Sequence, residues 1–278
     1  MKKIKKGDIV ARKSYGKDII FYVKRIIKTV NGEIAILYGL IKRIEADSRL
    51  DDLEILDKEV IKKRLEKEDE KINNRAYKRK DEYKIGIISN ENTRLKEKII
   101  TGKILHLDGD RRYSQKSIRY YKNLSLNAVV KNIPEYRQSL QIRRLLMKYN
   151  PDILVVTGHD AMLKNGKDYN NIYNYRNSRY FVETVKEARK YKKSKEELVI
   201  FAGACQSYFE EIMKAGANFA SSPGRILIDF IDPLIVAGKV ALTDSFRYIT
   251  IEEIAKELTD GIMGIGGTMA KGKKQVML

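Results

Sequence analysis

The sequence predicts an α/β protein in which a parallel sheet flanked by helices follows a small N-terminal β-barrel. Beyond Gly102, short apolar runs alternate with helical segments, which is typical of repeated βαβ units. Residues 4–56 instead contain short β-like segments interrupted by Gly and Asn. With 278 residues and 43% hydrophobic content, the chain is long enough for one substantial core and a smaller satellite domain.

The N-terminal segments at 8–12, 19–27 and 33–40 have the length and composition of strands, and the Asn31-Gly32 pair between the last two is a hairpin turn signal. We therefore expect a small SH3-like β-barrel domain over residues 1–56. Residues 57–100 are rich in charge, and their apolar residues are too sparse for a buried helix, which favours an exposed helical linker.

The α/β domain is expected over residues 101–260, followed by a flexible Gly- and Lys-rich tail at 261–278. Apolar runs predict its strands, and longer segments with helical spacing lie between them. The predicted strands are 103–107, 127–130, 152–157, 198–202 and, more weakly, 218–221. The predicted helices are 113–122, 134–149, 178–192, 206–215 and 249–258.

Reactive side chains follow three of these strands. In open parallel sheets, ligands bind beyond the carboxyl ends of the strands. The residues there are Asp108-Gly109-Asp110, Gly158-His159-Asp160 and Gly203-Ala204-Cys205. We expect the functional site at this edge.

Cys205 and His159 are the candidate catalytic pair. A nucleophilic cysteine needs a thiolate and a base within hydrogen-bond reach. A helix beginning near Gln206 would place its positive end beside Cys205 and lower the pKa of the thiol. If the two strands are neighbours, His159 and Cys205 emerge side by side. His106 is the other candidate base, but it lies within an apolar run, where a hydrogen-bonded core histidine is expected.

The composition limits which binding partners, cofactors and cellular compartment fit this protein. A formal charge of +19 favours anionic partners without choosing among nucleic acid, membrane and acidic proteins. A nucleic-acid role would use the basic residues of the barrel, although we favour protein docking there. These residues are Lys2, Lys3, Lys5, Lys6, Arg12 and Lys13, with Tyr15. We expect no membrane span, no metal site, no cofactor and a cytoplasmic protein with a free thiol.

The spacing of the candidate pair resembles that of caspases, in which a histidine lies about 50 residues upstream of a Gln-Ala-Cys motif. Here His159 and Cys205 are 46 residues apart and Gly-Ala-Cys follows an apolar strand. Caspase-like peptidases generally follow their histidine with Gly, whereas here Gly158 precedes His159. We expect the backbone N–H groups of Cys205 and Gly158 to form the oxyanion hole.

Motifs in the same order along almost the whole chain resemble those of the YabG sporulation-specific proteases. They are Gly7-Asp8-Ile9-Val10-Ala11-Arg12-Lys13-Ser14-Tyr15, His106-Leu107-Asp108-Gly109-Asp110, Thr157-Gly158-His159-Asp160-Ala161, Phe201-Ala202-Gly203-Ala204-Cys205-Gln206-Ser207 and Ala215-Gly216-Ala217-Asn218-Phe219-Ala220-Ser221-Ser222-Pro223. The resemblance implies a cysteine endopeptidase that is made in the mother cell of a spore former, associates with the forming spore coat, processes coat and cortex-associated proteins, and cleaves after Arg.

Cleavage after Arg requires a carboxylate that pairs with the guanidinium of the substrate. We expect Asp110 or Asp108 to supply it, with Asp160 next, although Asp is also common in ordinary turns. Self-cleavage is a further hypothesis, near the basic linker residues Arg64, Arg75 or Arg79. The alternatives are a basic nucleic-acid-binding protein, which would not need Cys205, and a thiol amidase or acyltransferase, which would ignore protein substrates.

Overall fold

A computed structural model of the chain describes residues 3–30, 32–88, 98–163 and 168–277, without the side chains of 76–88, 98 and 277. Lys2, Asn31 and the linker residues 89–97 therefore lie outside the described residues, as does the side chain of Arg79. Within the described ranges, no helix has both the length and the apolar character needed to cross a bilayer.

The N-terminal residues form a five-stranded antiparallel sheet, in the region where the sequence predicts strands. Two of its strands were not predicted, because 45–49 is polar and 53–55 is only three residues long. The likeness to an SH3 barrel stays a prediction. The strands are β1 (Ile9–Arg12), β2 (Phe21–Thr29), β3 (Gly32–Gly39), β4 (Glu45–Arg49) and β5 (Leu53–Ile55), in the spatial order β4-β3-β2-β1-β5.

The charged segment forms helix α1 (Lys58–Ile88), and strand β6 (Lys98–Ile100) follows it. Ion pairs anchor the middle of α1 to the rest of the chain. Lys71 donates to Asp229 Oδ2 at 3.0 Å, and Arg75 donates to Asp229 Oδ2 at 3.2 Å and to Asp232 Oδ1 at 3.1 Å. The helical character of this segment agrees with the sequence, and the division of the chain into domains stays a prediction.

The second sheet has six strands and is mostly parallel. In its spatial order β13-β11-β10-β9-β7-β8, only the edge strand β13 pairs antiparallel with its neighbour. Strands that follow one another along the chain are mostly neighbours in this sheet, as parallel α/β connections favour, except that β7 lies between β8 and β9. The strands are β7 (Ile104–Asp108), β8 (Ala128–Asn132), β9 (Ile153–Thr157), β10 (Val199–Ala202), β11 (Phe219–Ser221) and β13 (Ile265–Gly267).

Helices cover both faces of this sheet, and the α/β prediction is confirmed. One core contains buried residues of α2, α6 and α7, and the other contains buried residues of α3, α4 and α5. Helix α6 was not predicted, because it is apolar almost all round and lacks an amphipathic period. The helices are α2 (Arg111–Asn123), α3 (Glu135–Tyr149), α4 (Ser178–Tyr191), α5 (Phe209–Lys214), α6 (Asp232–Leu242), α7 (Ile251–Ala255) and α8 (Gly261–Gly264).

Residues 261–277, which we expected to form a flexible tail, contain helix α8 and three strands. Besides β13 these are β14 (Met269–Lys271), which pairs with β12 (Tyr248–Thr250), and β15 (Gln275–Met277), which pairs with β6. The glycines permit close packing here, since a Cβ at Gly267 would lie 2.4 Å from the Asn218 carbonyl oxygen. A Gly-rich composition therefore accompanies sheet pairing in this region.

The buried face of α4 gives a test of the assigned core. Phe181 is fully buried, whereas Phe246 is 85% exposed. Phe181→Ala should lower the free energy of unfolding by about 3–5 kcal/mol, because it opens a cavity in a close-packed core. Phe246→Ala should change it by less than about 0.5 kcal/mol. Urea unfolding followed by circular dichroism measures both, and equal losses would contradict this packing.

Candidate functional site

The three strand-end motifs lie on adjacent strands. Strand β9, which leads to His159, pairs in parallel with β10, which leads to Cys205, through Ala202↔Val156. On its other side β9 pairs with β7 through Asp108↔Thr157. Parallel strands end at the same edge of a sheet, so Cys205, His159 and Asp108 all lie at that edge. The expectation that their strands are neighbours is met.

Cys205 lies in a turn after β10, where Gly203 adopts φ +112° and Gln206 adopts φ 56°. The Ser207 hydroxyl accepts a hydrogen bond from Ala204 N at 2.9 Å and fixes the turn. The expected helix at Gln206 begins only at Phe209, because Gln206 adopts a positive φ that a right-handed helix excludes. Cys205 therefore does not directly adjoin a helix N-terminus.

The electrostatics of Cys205 also differ from expectation. Burial raises the pKa of its thiol to about 11, although Lys42 and Arg43 lower it. The thiol has no exposed surface, lies 3.8 Å from the Ile228 carbonyl oxygen and packs against the apolar interior of the N-terminal sheet. In this closed arrangement the sulfur is a neutral thiol, which is a poor nucleophile.

The imidazole of His159 stacks on Tyr38 of β3, with 4.2 Å between ring centroids. Its Nε2 lies 3.9 Å from Asp110 Oδ2, and neither ring nitrogen has a hydrogen-bond partner among the described residues. Burial lowers the pKa of His159 despite the attraction of Asp110. The ring is thus held neutral, with one ring nitrogen available to accept a proton.

Tyr113 borders His159. Its ring centroid lies 5.6 Å from that of His159. Burial raises the pKa of Tyr113, so the ring beside the imidazole is a neutral phenol.

Asp108 holds a buried arginine. Arg43, from the connection between β3 and β4, donates from Nη1 to Asp108 Oδ2 at 2.5 Å, and neither side chain has exposed surface. Asp108 also accepts from Thr157 Oγ1 at 3.0 Å and from Asp110 N at 2.8 Å. Burial alone would raise the pKa of Asp108, but Arg43, His106 and the Asp110 N–H keep it below its ordinary value. Asp108 is therefore a preformed carboxylate site for a guanidinium.

Asp110 faces the histidine. Its Oδ2 accepts from the Tyr22 hydroxyl at 3.2 Å, and its Oδ1 caps α2 by accepting from Arg112 N at 2.7 Å. With Oδ2 also 3.9 Å from His159 Nε2, Asp110 is placed to orient an imidazolium.

The carboxylate of Asp160 accepts hydrogen bonds from four groups of the protein. It accepts from Ala161 N at 2.9 Å, Asn177 N at 2.8 Å, Ser178 Oγ at 2.5 Å and Ser207 Oγ at 2.8 Å. It thereby ties the His159 loop to the N-terminus of α4 and to the Cys205 turn. Of the three predicted substrate carboxylates, Asp108 alone holds a guanidinium in the described structure.

His106 is a hydrogen-bonded core histidine, as expected. Its Nε2 lies 2.8 Å from Thr157 Oγ1 and its Nδ1 lies 3.2 Å from the Tyr121 hydroxyl. Burial lowers the pKa of His106 to about 3. Both ring nitrogens of His106 therefore have partners. This makes His106 a weaker candidate for the base than His159.

Glu135, the first residue of α3, belongs to the site but was not singled out from the sequence. Its Oε1 accepts from His159 N at 2.8 Å, and a Cβ at Gly109 or at Gly158 would collide with its carboxyl group. Burial raises the pKa of Glu135 to about 8. The sequence signal that could have identified Glu135 is a carboxyl residue at the first position of a helix that closely follows a strand.

Glu135→Gln tests this buried carboxyl. Because the folded pKa lies above that of the unfolded chain, wild-type stability should fall as pH rises from about 5 to about 8, by at most about 1.4 kcal/mol per pH unit. The variant lacks this loss, so it should gain stability relative to wild type over that range. Unfolding at several pH values measures the gain, and an equal gain in the exposed Glu66→Gln control would contradict the assignment.

Two comparisons with known proteins identify relatives of this chain. A family model described as YabG peptidase U57 matches residues 5–278. The chain is also 38% identical over 282 aligned positions to the sporulation-specific protease YabG of Bacillus subtilis (strain 168), covering 96% of this chain and 94% of that protein. Both matches span nearly the whole chain, so it belongs to the YabG family of sporulation peptidases.

Proposed function

We propose that this peptidase is a cysteine endopeptidase that cleaves after Arg and uses Cys205 as nucleophile and His159 as base. The observation that carries the proposal is the meeting of three features at one sheet edge. These are the single thiol of the chain, an imidazole whose ring nitrogens have no hydrogen-bond partner in the described part of the chain, and an aspartate that already holds an arginine.

The reaction is acyl transfer. The Cys205 thiol gives its proton to His159, and the sulfur attacks the carbonyl carbon of the substrate Arg itself. When the C–N bond breaks, His159 returns the proton to the leaving amine and a thioester remains on Cys205. Water, deprotonated by His159, hydrolyses the thioester and regenerates the thiol. Asp110 acts here as a positioning residue that stabilises the imidazolium.

The oxyanion needs backbone donors near the scissile carbonyl. We retain the N–H groups of Cys205 and Gly158 as candidates and add that of Asp160. Asp160 N already donates to the Arg43 carbonyl oxygen at 3.4 Å, beside the Arg pocket. This contact supports Asp160 as a donor through its backbone, while its side chain is engaged elsewhere.

Family membership supports a proposal for the biological role. The relative in Bacillus subtilis is named a sporulation-specific protease, and we propose the same setting here. The proposed substrates are spore coat and cortex-associated proteins, processed in the mother cell at the forming coat. No cofactor is required by the mechanism. The alternative functions are a thiol amidase and a nucleic-acid-binding protein. The experiments below distinguish both from a peptidase.

Cleavage of an Arg-containing peptide pool, followed by mass spectrometry, tests the catalytic pair. Cys205→Ala and His159→Ala should each lower kcat/KM by about 10³-fold or more, because nucleophile and base act as one unit. His106→Gln should lower it by less than about tenfold. Retained cleavage in Cys205→Ala would eliminate the thiol mechanism, and salt-sensitive RNA or DNA binding without cleavage would favour the nucleic-acid alternative.

Matched peptides that differ only in Arg or uncharged citrulline test the pocket. Asp108→Asn should reduce the preference for Arg by about tenfold to a hundredfold, since it removes the charge partner of the guanidinium. Asp110→Asn and Asp160→Asn should retain the preference even where they slow the reaction. If Asp110→Asn abolishes the preference and Asp108→Asn does not, Asp110 reads the substrate.

A further inference from the structure

The proposed catalytic edge is closed. Cys205, His159 and Asp108 have no exposed surface, and Asp110 is only 4% exposed. The covering group is the N-terminal sheet, chiefly β3 and the connection to β4. A polypeptide substrate cannot reach the thiol while this cover is in place.

The side chain of Arg43 occupies the position proposed for a substrate arginine. Its guanidinium pairs with Asp108, and its charge also acts on Cys205 and His159. It lies over Tyr113 and Phe230, at 4.6 and 5.2 Å from their ring centroids. An aspartate with an aromatic wall is a suitable environment for a guanidinium.

The backbone around Arg43 is also aligned like a bound peptide. Ile44 forms a parallel bridge with Asp160, directly after His159. Asp160 N donates to the Arg43 carbonyl oxygen at 3.4 Å, and Glu45 N donates to the Asp160 carbonyl oxygen at 3.3 Å. Pairing of an extended segment with exposed backbone groups is a common mode of peptide recognition.

Two tyrosines complete the cover. Tyr38 stacks on His159, and the Tyr22 hydroxyl donates to Asp110 Oδ2. Both residues belong to the same sheet as the Arg43 segment. The contacts thus engage each proposed element of the site at once: the base, its orienting carboxylate and the Arg pocket.

We propose that residues 42–45 are an internal pseudosubstrate that keeps the peptidase latent until Arg43 leaves Asp108. This inference rests on the proposed function, because it assigns Asp108 to the substrate arginine. Arg43 is an exchangeable occupant: its Nε and Nη2 atoms are buried without a hydrogen-bond partner among the described residues. A substrate arginine that satisfies more of its donors can compete with it.

Alkylation of the single cysteine by iodoacetamide, followed by intact-protein mass spectrometry under native conditions, tests the block without requiring catalysis. Arg43→Ala should be labelled at least tenfold faster than wild type. Arg49→Ala, an exposed arginine of β4, should be labelled at the wild-type rate. If Arg43→Ala does not fold, Arg43→Gln replaces it, since it removes the charge and keeps most of the side chain.

Phe181→Ala controls for general destabilisation, because it weakens the core and leaves the Arg43 pair intact. Labelling of Arg43→Ala no faster than wild type, or no faster than Phe181→Ala, would overturn the proposal. Cleavage of an Arg peptide separates the two claims. Fast labelling without cleavage retains the block and refutes the peptidase mechanism, whereas equal cleavage by wild type and Arg43→Ala retains the mechanism and refutes the block.

Discussion

The buried ion pair between Arg43 and Asp108 joins the two sheets of the protein at the edge where the chemistry is proposed. Removing two charges from water is costly, and the cost is offset here by a short contact and by further donors to Asp108. Loss of either partner would leave an uncompensated buried charge. The position of the N-terminal sheet over Cys205 and His159 therefore depends on this pair more than on any exposed ion pair, which contributes little in water.

The protonation states of the site agree with a closed enzyme. Burial raises the pKa of Cys205 and lowers that of His159, so both are neutral where a working pair would exchange a proton. Asp108 remains charged because Arg43 accompanies it. Movement of the N-terminal sheet would admit water and substrate, reduce the desolvation of the thiol and free the aspartate. Access and reactivity are thus coupled through one contact.

Much of the fold and of the candidate site could be predicted from the sequence. Apolar runs predict the parallel strands, and the rule that parallel strands share an edge predicts that Cys205, His159 and Asp108 lie at the same edge. What failed depended on distant parts of the chain. Helix α6 has no polar face to give a period, and the Gly-rich C-terminal residues pair with strands far away in sequence. Arg43 lies in a short basic connection between two strands. No local sequence pattern predicts which carboxylate such a residue will pair with.

Hydrogen–deuterium exchange on the protein alkylated at Cys205 by an Arg-terminated peptidyl chloromethyl ketone, which loses chloride, tests the central claim most directly. The ketone would place its own arginine at Asp108, so peptides covering residues 40–49 should exchange faster in the adduct than in the free protein. The Glu45 amide, which now donates to the Asp160 carbonyl oxygen, should lose its protection. An adduct at Cys205 with residues 40–49 as protected as before would contradict displacement of Arg43 by the substrate.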